Sequence, residues 1–364
     1  MQSKTLLTNS ILMDLTEVSP IVSPENKELN YEEIRKRTHI TLKTKVTPAT
    51  PNIWIDESVC CTIGGIMVVS GQKKAGKSFG MLFIMATALM IECNIEYTLK
   101  IRASYTKKKI VYLDTEMLEA DSQDFIKKAM DISGLKKEPE NIIMHNLSQL
   151  SLVERKFFLS NLLENEKDIE YLIIDGVADF FASVNDEEKA REFIDMIFSK
   201  KEKGTSVIFA IHEGKDSNGA TGHLGQIIER KCTSTIAFFK DRKLGVHTIK
   251  CKMVRKGADF QDLKFMFLKP NPLPVLLNSE QLASLAEKTE ETKNDEIRKV
   301  ITQTFATSRS LSKEEVIQGF LNYDNSIDKT NKIESQKSLA RKRLKRAIEL
   351  EFIKEENKVV TITI

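Results

Sequence analysis

The stretch Gly71-Gln-Lys-Lys-Ala-Gly-Lys-Ser78 decides the fold of this chain, because it matches G-x-x-x-x-G-K-[S/T] without a mismatch. An apolar run at 66–70 precedes it and suits a buried strand, and a longer one at 79–90 suits a buried helix. Strand, glycine loop and helix are the context in which this pattern forms a phosphate-binding loop. Backbone N–H groups of such a loop curl around phosphates at a helix N-terminus, where the dipole also favours anions. The sequence therefore predicts a nucleotide-binding protein.

Two side chains of this loop suit a bound nucleotide such as ATP with Mg²⁺. Lys77 would reach the phosphates as a point charge, and the Ser78 hydroxyl would ligate Mg²⁺. A chance glycine loop is the alternative, and the flanking strand and helix argue against it. The other predicted nucleotide-binding positions are Gly71, Gln72, Lys73, Lys74, Ala75, Gly76 and Phe79.

The composition is that of an ordinary soluble globular protein, with 41% hydrophobic and 29% charged residues among 364. This length allows one large domain and a small one, and a net charge of +3 is too small to indicate a partner. No run reaches 18 apolar residues, so we expect a cytoplasmic protein without a membrane segment. The cysteines show no C-x-x-C spacing and are interpreted as small apolar core residues: Cys60, Cys61, Cys93, Cys232 and Cys251.

Strands alternate with helices from about residue 53, which predicts an α/β fold with a mainly parallel sheet covered on both faces. The predicted strands are 66–70, 109–114, 141–145, 170–175, 205–211, 232–239, 246–253 and 262–268. The predicted helices are 77–93, 119–133, 152–165 and 186–202. The last three strands follow one another without long helices, as an antiparallel extension would.

The chain is predicted to have four parts: an irregular N-terminal arm at 1–50, an ATPase-like core at 51–270, a linker at 271–292 and a small domain at 293–364. The arm contains one short predicted helix, 31–37, and both an oligomer-linking arm and a floppy tail fit its composition.

The small domain has the element order of a winged helix. Its predicted helices are 295–305, 313–321 and 334–351, followed by a hairpin at 352–364 that turns near Glu356-Asn357. Leu339, Leu344 and Ile348 would form the apolar face of the third helix. Its basic residues are candidate DNA contacts: Lys337, Arg341, Lys342, Arg343, Lys345 and Arg346. A solvated helix face and a protein-binding winged helix are the alternatives.

Carboxylates end two of the apolar strands. Asp175 ends the run 170–175, where NTPases of this kind hold Mg²⁺. Asp114 and Glu116 follow the strand after the phosphate-loop helix. Glu116 is the candidate general base that orients and deprotonates water, and Asp114 is interpreted as a helper or helix cap. The alternative is that both carboxylates only cap the next helix.

A histidine, His212, ends the apolar strand beside the one that carries Asp175, and there it could touch the γ-phosphate or its water. A lone histidine is more often structural, but this one is predicted at the sheet edge of the phosphate loop. The glycine-rich stretch 214–225 follows and is interpreted as an irregular loop that faces DNA or the next subunit. His223 is its candidate DNA contact.

In their order, these motifs resemble the RecA/DnaB superfamily of ATPases, and most of all the RepA-like hexameric helicase ATPases of plasmids and mobilisable elements. The resemblance covers about 50–268 and implies a DNA-dependent ATPase, a homo-oligomer and most often a hexamer, with sites between subunits. The resemblance implies that Lys77 and Ser78 bind the phosphates and Mg²⁺ and that Glu116 is the general base. It also implies that Asp175 binds Mg²⁺ and that His212 senses the γ-phosphate.

The stretch 249–257 resembles the late strand from which this superfamily sends an arginine finger into a neighbouring site. Arg255 is the best match and Lys252 the second. Met253 stands where the family has a lysine, and Thr221 stands where an arginine is expected before Gly-His-Leu-Gly.

These features favour an ATP-hydrolysing motor that acts on DNA in replication or mobilisation. An ATP-switched DNA-binding initiator or regulator is the second hypothesis, and strand unwinding distinguishes the two. A kinase is a third, for which the sequence offers no acceptor pocket.

Overall fold

In the computed structural model, six stretches of the chain are described: 30–46, 49–92, 98–213, 222–268, 273–327 and 333–363. They fall into two units that divide between residues 48 and 49. The first unit contains α1 (Tyr31–Thr38), whose N-terminus is capped by the side chain of Asn30 and which buries none of its residues. The short helix predicted in the arm is therefore confirmed, while 1–29 of that arm lie outside the described residues.

In the described part of residues 49–276, which belongs to the second unit, twelve strands alternate with helices and form two sheets. In chain order they are β1 (Pro51–Ile55), β2 (Ser58–Thr62), β3 (Ile66–Gly71), β4 (Ile101–Ala103), β5 (Lys109–Asp114), β6 (Ile142–Asn146), β7 (Ile169–Asp175), β8 (Ser206–His212), β9 (Ser234–Asp241), β10 (Val246–Val254), β11 (Leu263–Phe267) and β12 (Pro274–Leu276). The central sheet has the order β12-β11-β10-β9-β3-β8-β7-β5-β6. Strands β9, β3, β8, β7, β5 and β6 run parallel, whereas β10, β11 and β12 extend the sheet antiparallel. The predicted α/β architecture and its antiparallel extension are confirmed.

The smaller sheet, in the order β2-β1-β4, was not predicted from the sequence. Its strands are short, and β4 has only three residues. The guanidinium of Arg102 lies 4.5 Å above the ring of Trp54 and joins β4 to β1. This sheet covers the outer side of the phosphate-loop helix, and that position explains why this helix is apolar all round.

Five helices cover the two faces of the central sheet: α2 (Lys77–Ala88), α3 (Glu119–Ser133), α4 (Leu152–Asn165), α5 (Glu187–Lys200) and α6 (Gly222–Lys231). Strand β3 alternates its side chains between the faces. Met67 and Val69 pack with α2 and α3, and Ile66 and Val68 pack with α4, α5 and α6.

Two predicted boundaries in this region were wrong. Helix α2 ends at Ala88 rather than at residue 93, because Thr87 Oγ1 accepts the backbone N–H of Ala103 and the chain turns toward β4. The loop predicted at 214–225 gives way to α6 at Gly222, where Leu224 is buried in the core. Residues 214–221 of that loop lie outside the described residues.

The C-terminal region consists of α7 (Ser279–Thr304), β13 (Ser310–Ser312), α8 (Lys313–Ile327), α9 (Ile333–Glu349), β14 (Ile353–Glu356) and β15 (Val359–Ile362). Its sheet has the order β13-β15-β14, and its hairpin turns at Asn357 and Lys358, both with positive φ. The helices pack on a core that includes Ile301, Phe320 and Leu344.

The structure corrects several sequence expectations here. A continuous helix, α7, starts at Ser279 inside the predicted linker, because Asn278 and Gln281 form a capping box there. Helix α8 extends past residue 321, and the third helix ends at Glu349, before Glu351 with φ 56°. Leu339 is 43% exposed and does not belong to the apolar face, whereas Leu344 and Ile348 pack on the core as predicted, together with Ala340 and Ala347. The boundary between the two predicted domains stays a prediction.

Candidate nucleotide-binding site

The loop between β3 and α2 depends on two glycines. Gly71 has φ 152°, and a Cβ there would lie 2.3 Å from the carbonyl oxygen of Phe238. Gly76 has φ 107° and caps α2, where a Cβ would lie 3.3 Å from the Phe265 ring. Both positions exclude other residues, which leaves the backbone of the loop curled at the N-terminus of a buried helix.

Three acceptors hold the ammonium of Lys77 beside this loop. It donates to the carbonyl oxygens of Gly71 and Gln72 at 3.0 and 3.3 Å and lies 3.0 Å from Nδ1 of His212. Burial lowers the pKa of Lys77, and the nearby carboxylates of Asp175 and Glu116 oppose that effect. Three N–H groups meet three acceptors, so the hydrogen-bonding capacity of this ammonium is satisfied.

His212 joins Lys77 to Glu116, because its Nε2 lies 2.7 Å from Glu116 Oε1. An ammonium only donates, so Nδ1 of His212 accepts and its Nε2–H donates to the carboxylate. This hydrogen bond is the main cause that lowers the pKa of Glu116, with further help from the charges of Lys77 and Lys73 and against its burial. Glu116 is therefore an ionised, half-exposed carboxylate at neutral pH.

Asp175 lies at the carboxyl end of β7 and is 6% exposed. Its pKa is raised to about 6, mainly by burial and in part by the charges of Glu116 and Asp114. Tyr112 Oη donates to Asp175 Oδ2 at 2.8 Å and partly offsets this effect. A buried carboxylate beside other carboxylates is stabilised by a cation, so this donor fits the predicted Mg²⁺ position.

Asp114 holds the loop that leads from β5 into α3. It accepts hydrogen bonds from the backbone N–H groups of Glu116 and Met117 and from the side chains of Ser122 and Asn146. Both backbone donors precede α3, whose N-cap is Leu118 without a side-chain cap, so Asp114 orders the loop before the helix and does not cap the helix itself. Glu116 points instead to His212, so the alternative that both carboxylates cap the helix was wrong.

A buried ion pair that the sequence did not reveal lies beside the loop. Glu213 has a side chain that is 3% exposed, and it accepts from Ser70 Oγ at 2.8 Å and from Lys252 Nζ. Lys252 is therefore engaged inside its own chain. Because Glu213 directly follows β8 and Lys252 lies on β10, 39 residues later, only the folded sheet brings them together.

Arg255 and Lys77 lie at opposite ends of the strands of the central sheet. The last residue of β10, Val254, pairs with Ser234 at the start of β9, whereas Gly71 pairs with Phe238 further along β9. The exposed Arg255 donates to the carbonyl oxygen of Arg230. Its place excludes a role in the phosphate loop of the same chain.

An aromatic group on the other side of the loop was also missed. His247 is 4% exposed, lies 2.7 Å from the carbonyl oxygen of Ala75 through Nδ1, and stacks on Phe265. Burial lowers the pKa of His247, so it is neutral and donates to the loop. Phe267 contacts both His247 and Phe79, with ring centroids 5.3 and 4.6 Å apart.

The basic residues predicted on α9 do not all face the same way. Lys337, Arg341 and Lys345 form an exposed stripe. Arg346 pairs with Glu290 of α7 at 3.3 Å. Arg343 is half-buried and Lys342 is exposed, and both line the groove toward α7. His223 is exposed near the start of α6.

Three of the cysteines, Cys60, Cys61 and Cys232, are buried as predicted, and burial raises the pKa of each thiol. Cys251 is partly buried, and Cys93 lies outside the described residues. Within the described stretches, no helix combines the length and apolar character needed to cross a membrane. The same stretches contain no cluster of three or more histidine, cysteine or carboxylate side chains suited to a metal ion.

No known family model matches this chain, and no curated protein matches it. Among solved structures, the chain is similar to one described as the crystal structure of the RadB recombinase. That similarity has 12% sequence identity and a TM-score of 0.40, and it covers 57% of this chain and 88% of that chain. A similarity this distant assigns no activity.

Proposed function

We propose that this chain is a RecA-like P-loop ATPase of the RepA-like helicase type, a DNA-associated motor in the replication or mobilisation of a plasmid or mobile element. The observation that carries the proposal is the position of Lys77, Glu116, Asp175 and His212. Strands β3, β5, β7 and β8 are neighbours that end at the same side of the sheet, and this arrangement brings the candidate phosphate loop, base and cation ligand together.

ATP and Mg²⁺ fit the residues of this edge. The backbone of Gly71–Ser78 and Phe79 would hold the phosphates together with Lys77, and Ser78 and Asp175 would hold the metal. When bound, MgATP supplies a γ-phosphoryl group whose charge the cation partly neutralises. The raised pKa of Asp175 supports this assignment, because a cation relieves the repulsion among the buried carboxylates.

Glu116 is the proposed general base. It is ionised at neutral pH because His212 lowers its pKa, and it is exposed enough to accept a proton from water. The Nε2–H of His212 orients that carboxylate, and Nδ1 of the same ring accepts from Lys77. His212 therefore responds to any change in the partners of Lys77, as the proposed γ-phosphate sensor must.

Arg255 is the proposed arginine finger of a homo-oligomer, with a hexamer as the proposed form. Because Arg255 lies away from its own Lys77, a phosphate that it contacts in this role would have to belong to another chain. Such a residue contributes about a thousandfold or more to hydrolysis in related chemistry.

The C-terminal region is the proposed DNA-binding winged helix. Its order of α7, β13, α8, α9, β14 and β15 supports this assignment, and the stripe of Lys337, Arg341 and Lys345 supplies cations for phosphate contacts. The other basic residues of α9 and His223 remain candidate contacts.

An ATP-switched initiator or regulator is the second candidate. The exposed stripe of α9 favours it as much as a motor, since DNA binding alone serves both. The discriminating experiment measures ATP turnover and strand displacement with and without single-stranded DNA. A motor predicts DNA-stimulated turnover and displacement, whereas slow turnover that ignores DNA, with no displacement, contradicts the motor and supports the regulator.

A further inference from the structure

A cleft of about 640 Å³ lies between α7, α9 and the turn that joins β9 to β10. The turn contributes Lys243, α7 contributes Lys293 and Ile297, and α9 contributes Leu339 and Arg346. The cleft therefore joins the C-terminal helices to a strand pair that belongs to the central sheet.

The charge of this cleft is positive. Five basic residues line it against two acidic ones, Glu290 and Glu296. Glu290 pairs with Lys293 at 3.0 Å and with Arg346 at 3.3 Å, so it offsets part of the charge of these two residues. The remaining excess attracts anions.

The walls of the cleft also carry polar groups whose hydrogen bonds the protein does not complete. Asn294 Oδ1 and Arg346 Nε are enclosed and have no hydrogen-bond partner within the described part of the chain. Unsatisfied enclosed polar atoms are costly, and a polar ligand in the cleft could reorient these side chains and supply the missing partners. Leu339, which is 43% exposed, adds an apolar surface beside them, whereas Ile297 at the base of the cleft is only 6% exposed.

The turn at the mouth of the cleft is fixed. Asp241 Oδ1 accepts from the backbone N–H groups of Lys243 and Leu244 at 2.8 and 3.1 Å. These hydrogen bonds lower the pKa of Asp241, and the charges of Lys243 and Lys293 lower it further. Lys243 of the turn and Lys293 of α7 therefore both act on the carboxylate of Asp241.

We propose that this cleft binds single-stranded nucleic acid, with Lys243 and Lys293 on the phosphodiester backbone and the exposed Leu339 against a base. The cleft is continuous through Lys342 with the exposed stripe of α9, since Lys342 lines both surfaces. A single strand offers both a phosphodiester backbone for the basic residues and unpaired bases for an apolar side chain, whereas a duplex keeps its bases paired and stacked inside. This proposal rests on the proposed function and extends its DNA contact to the central sheet.

The consequence is a short route from nucleic acid to the phosphate loop. Lys243 lies four residues before His247 on the same hairpin, and His247 donates to the carbonyl oxygen of Ala75. A strand held at Lys243 therefore contacts the hairpin that braces the loop.

The test measures binding of a fluorescent 30-nucleotide oligo(dT) and of a 30-base-pair duplex by anisotropy, over a series of salt concentrations. The variants are Lys243→Gln, Lys293→Gln and their combination in the full chain. Lys137→Gln, an exposed lysine elsewhere, is the matched control. Each cleft substitution should weaken oligo(dT) binding and reduce the slope of log K against log salt by about 0.7, the value expected for one lost single-strand contact. Lys243→Arg should restore both.

Oligo(dT) affinity and slope unchanged in the double variant would overturn the proposal, as would an equal loss in Lys137→Gln. A larger loss for the duplex than for oligo(dT) would also overturn it, since the cleft would then serve a duplex. If wild type binds neither nucleic acid, the DNA part of the proposed function itself fails. If wild type binds oligo(dT) and the cleft variants bind it as wild type does, that function stands and only the cleft assignment fails.

Discussion

The ammonium nitrogen of Lys77 lies 3.0 Å from Nδ1 of His212, so the lysine of the phosphate loop and the histidine at the end of β8 share a hydrogen bond. The other nitrogen of the same ring holds Glu116 at 2.7 Å. One imidazole therefore links the group that would bind phosphate to the group that would activate water.

This link makes the pH dependence of turnover a test of His212. In His212→Ala the hydrogen bond that lowers the pKa of Glu116 is lost, so that pKa rises toward its ordinary value. A base is active above its pKa, so the acid limb of the kcat/KM profile should move to higher pH. His212→Gln, whose amide can still donate, should keep the limb near wild type. An acid limb that His212→Ala leaves in place would refute the link.

The raised pKa of Asp175 predicts a stability gain from Asp175→Asn. A carboxyl whose folded pKa is about 6 costs stability above that pH, and the cost disappears as pH falls through the pKa toward 3.8. The difference between a folded pKa of about 6 and the ordinary value of 3.8 corresponds to about 3 kcal/mol at most. We expect the variant to be more stable by about 1–3 kcal/mol in urea unfolding at pH 7.5, with the gain lost by about pH 4. Equal stability of the two proteins at pH 7.5 would contradict the assignment.

Gly80 in α2 should not tolerate alanine. In most helices glycine to alanine stabilises by about 1 kcal/mol. Here a Cβ would lie 2.5 Å from the ring of Phe238 on β9. We expect Gly80→Ala to lower the free energy of unfolding by about 1–3 kcal/mol, as overpacking does. Adding Phe238→Leu should recover part of the loss, and a double variant whose two losses simply add would show that the ring is not the cause.

Arg255 predicts activity that depends on two chains. Arg255→Ala should lose turnover and keep ATP binding, because its place at the far edge leaves its own phosphate loop intact. Mixing it with Lys77→Ala should restore some ATPase activity, since mixed oligomers contain complete sites. Lys256→Ala, at the exposed neighbouring position, is the control and should behave as wild type. Co-assembled variants that remain inactive would argue against shared sites.

The sequence predicts much of this site because its motifs end parallel strands. Lys77, Glu116, Asp175 and His212 each follow an apolar run, and the carboxyl ends of parallel strands meet at one edge. The partners of these residues could not be predicted. His247 reaches Ala75 across 172 residues, and no local pattern encodes that contact.

Two helix starts, those of α7 and α6, were predicted wrongly for different reasons. The start of α7 lies in a polar stretch that resembles a linker, and its signal is the pair Asn278 and Gln281 of a capping box. The start of α6 follows a glycine-rich stretch, and Leu224 is buried only because the sheet lies beneath it. Tertiary packing, rather than a local sequence signal, therefore determines where α6 starts.

The measurement that tests the central claim most directly compares ATP turnover and ATP binding in wild type, Glu116→Gln and Glu119→Gln. Glu119 is an exposed glutamate of α3 and provides the matched control. The account predicts that Glu116→Gln binds MgATP with near wild-type affinity and loses turnover by at least about a hundredfold, as expected for a general base, while Glu119→Gln remains active. Wild-type turnover in Glu116→Gln, or no ATP binding by wild type, would contradict it.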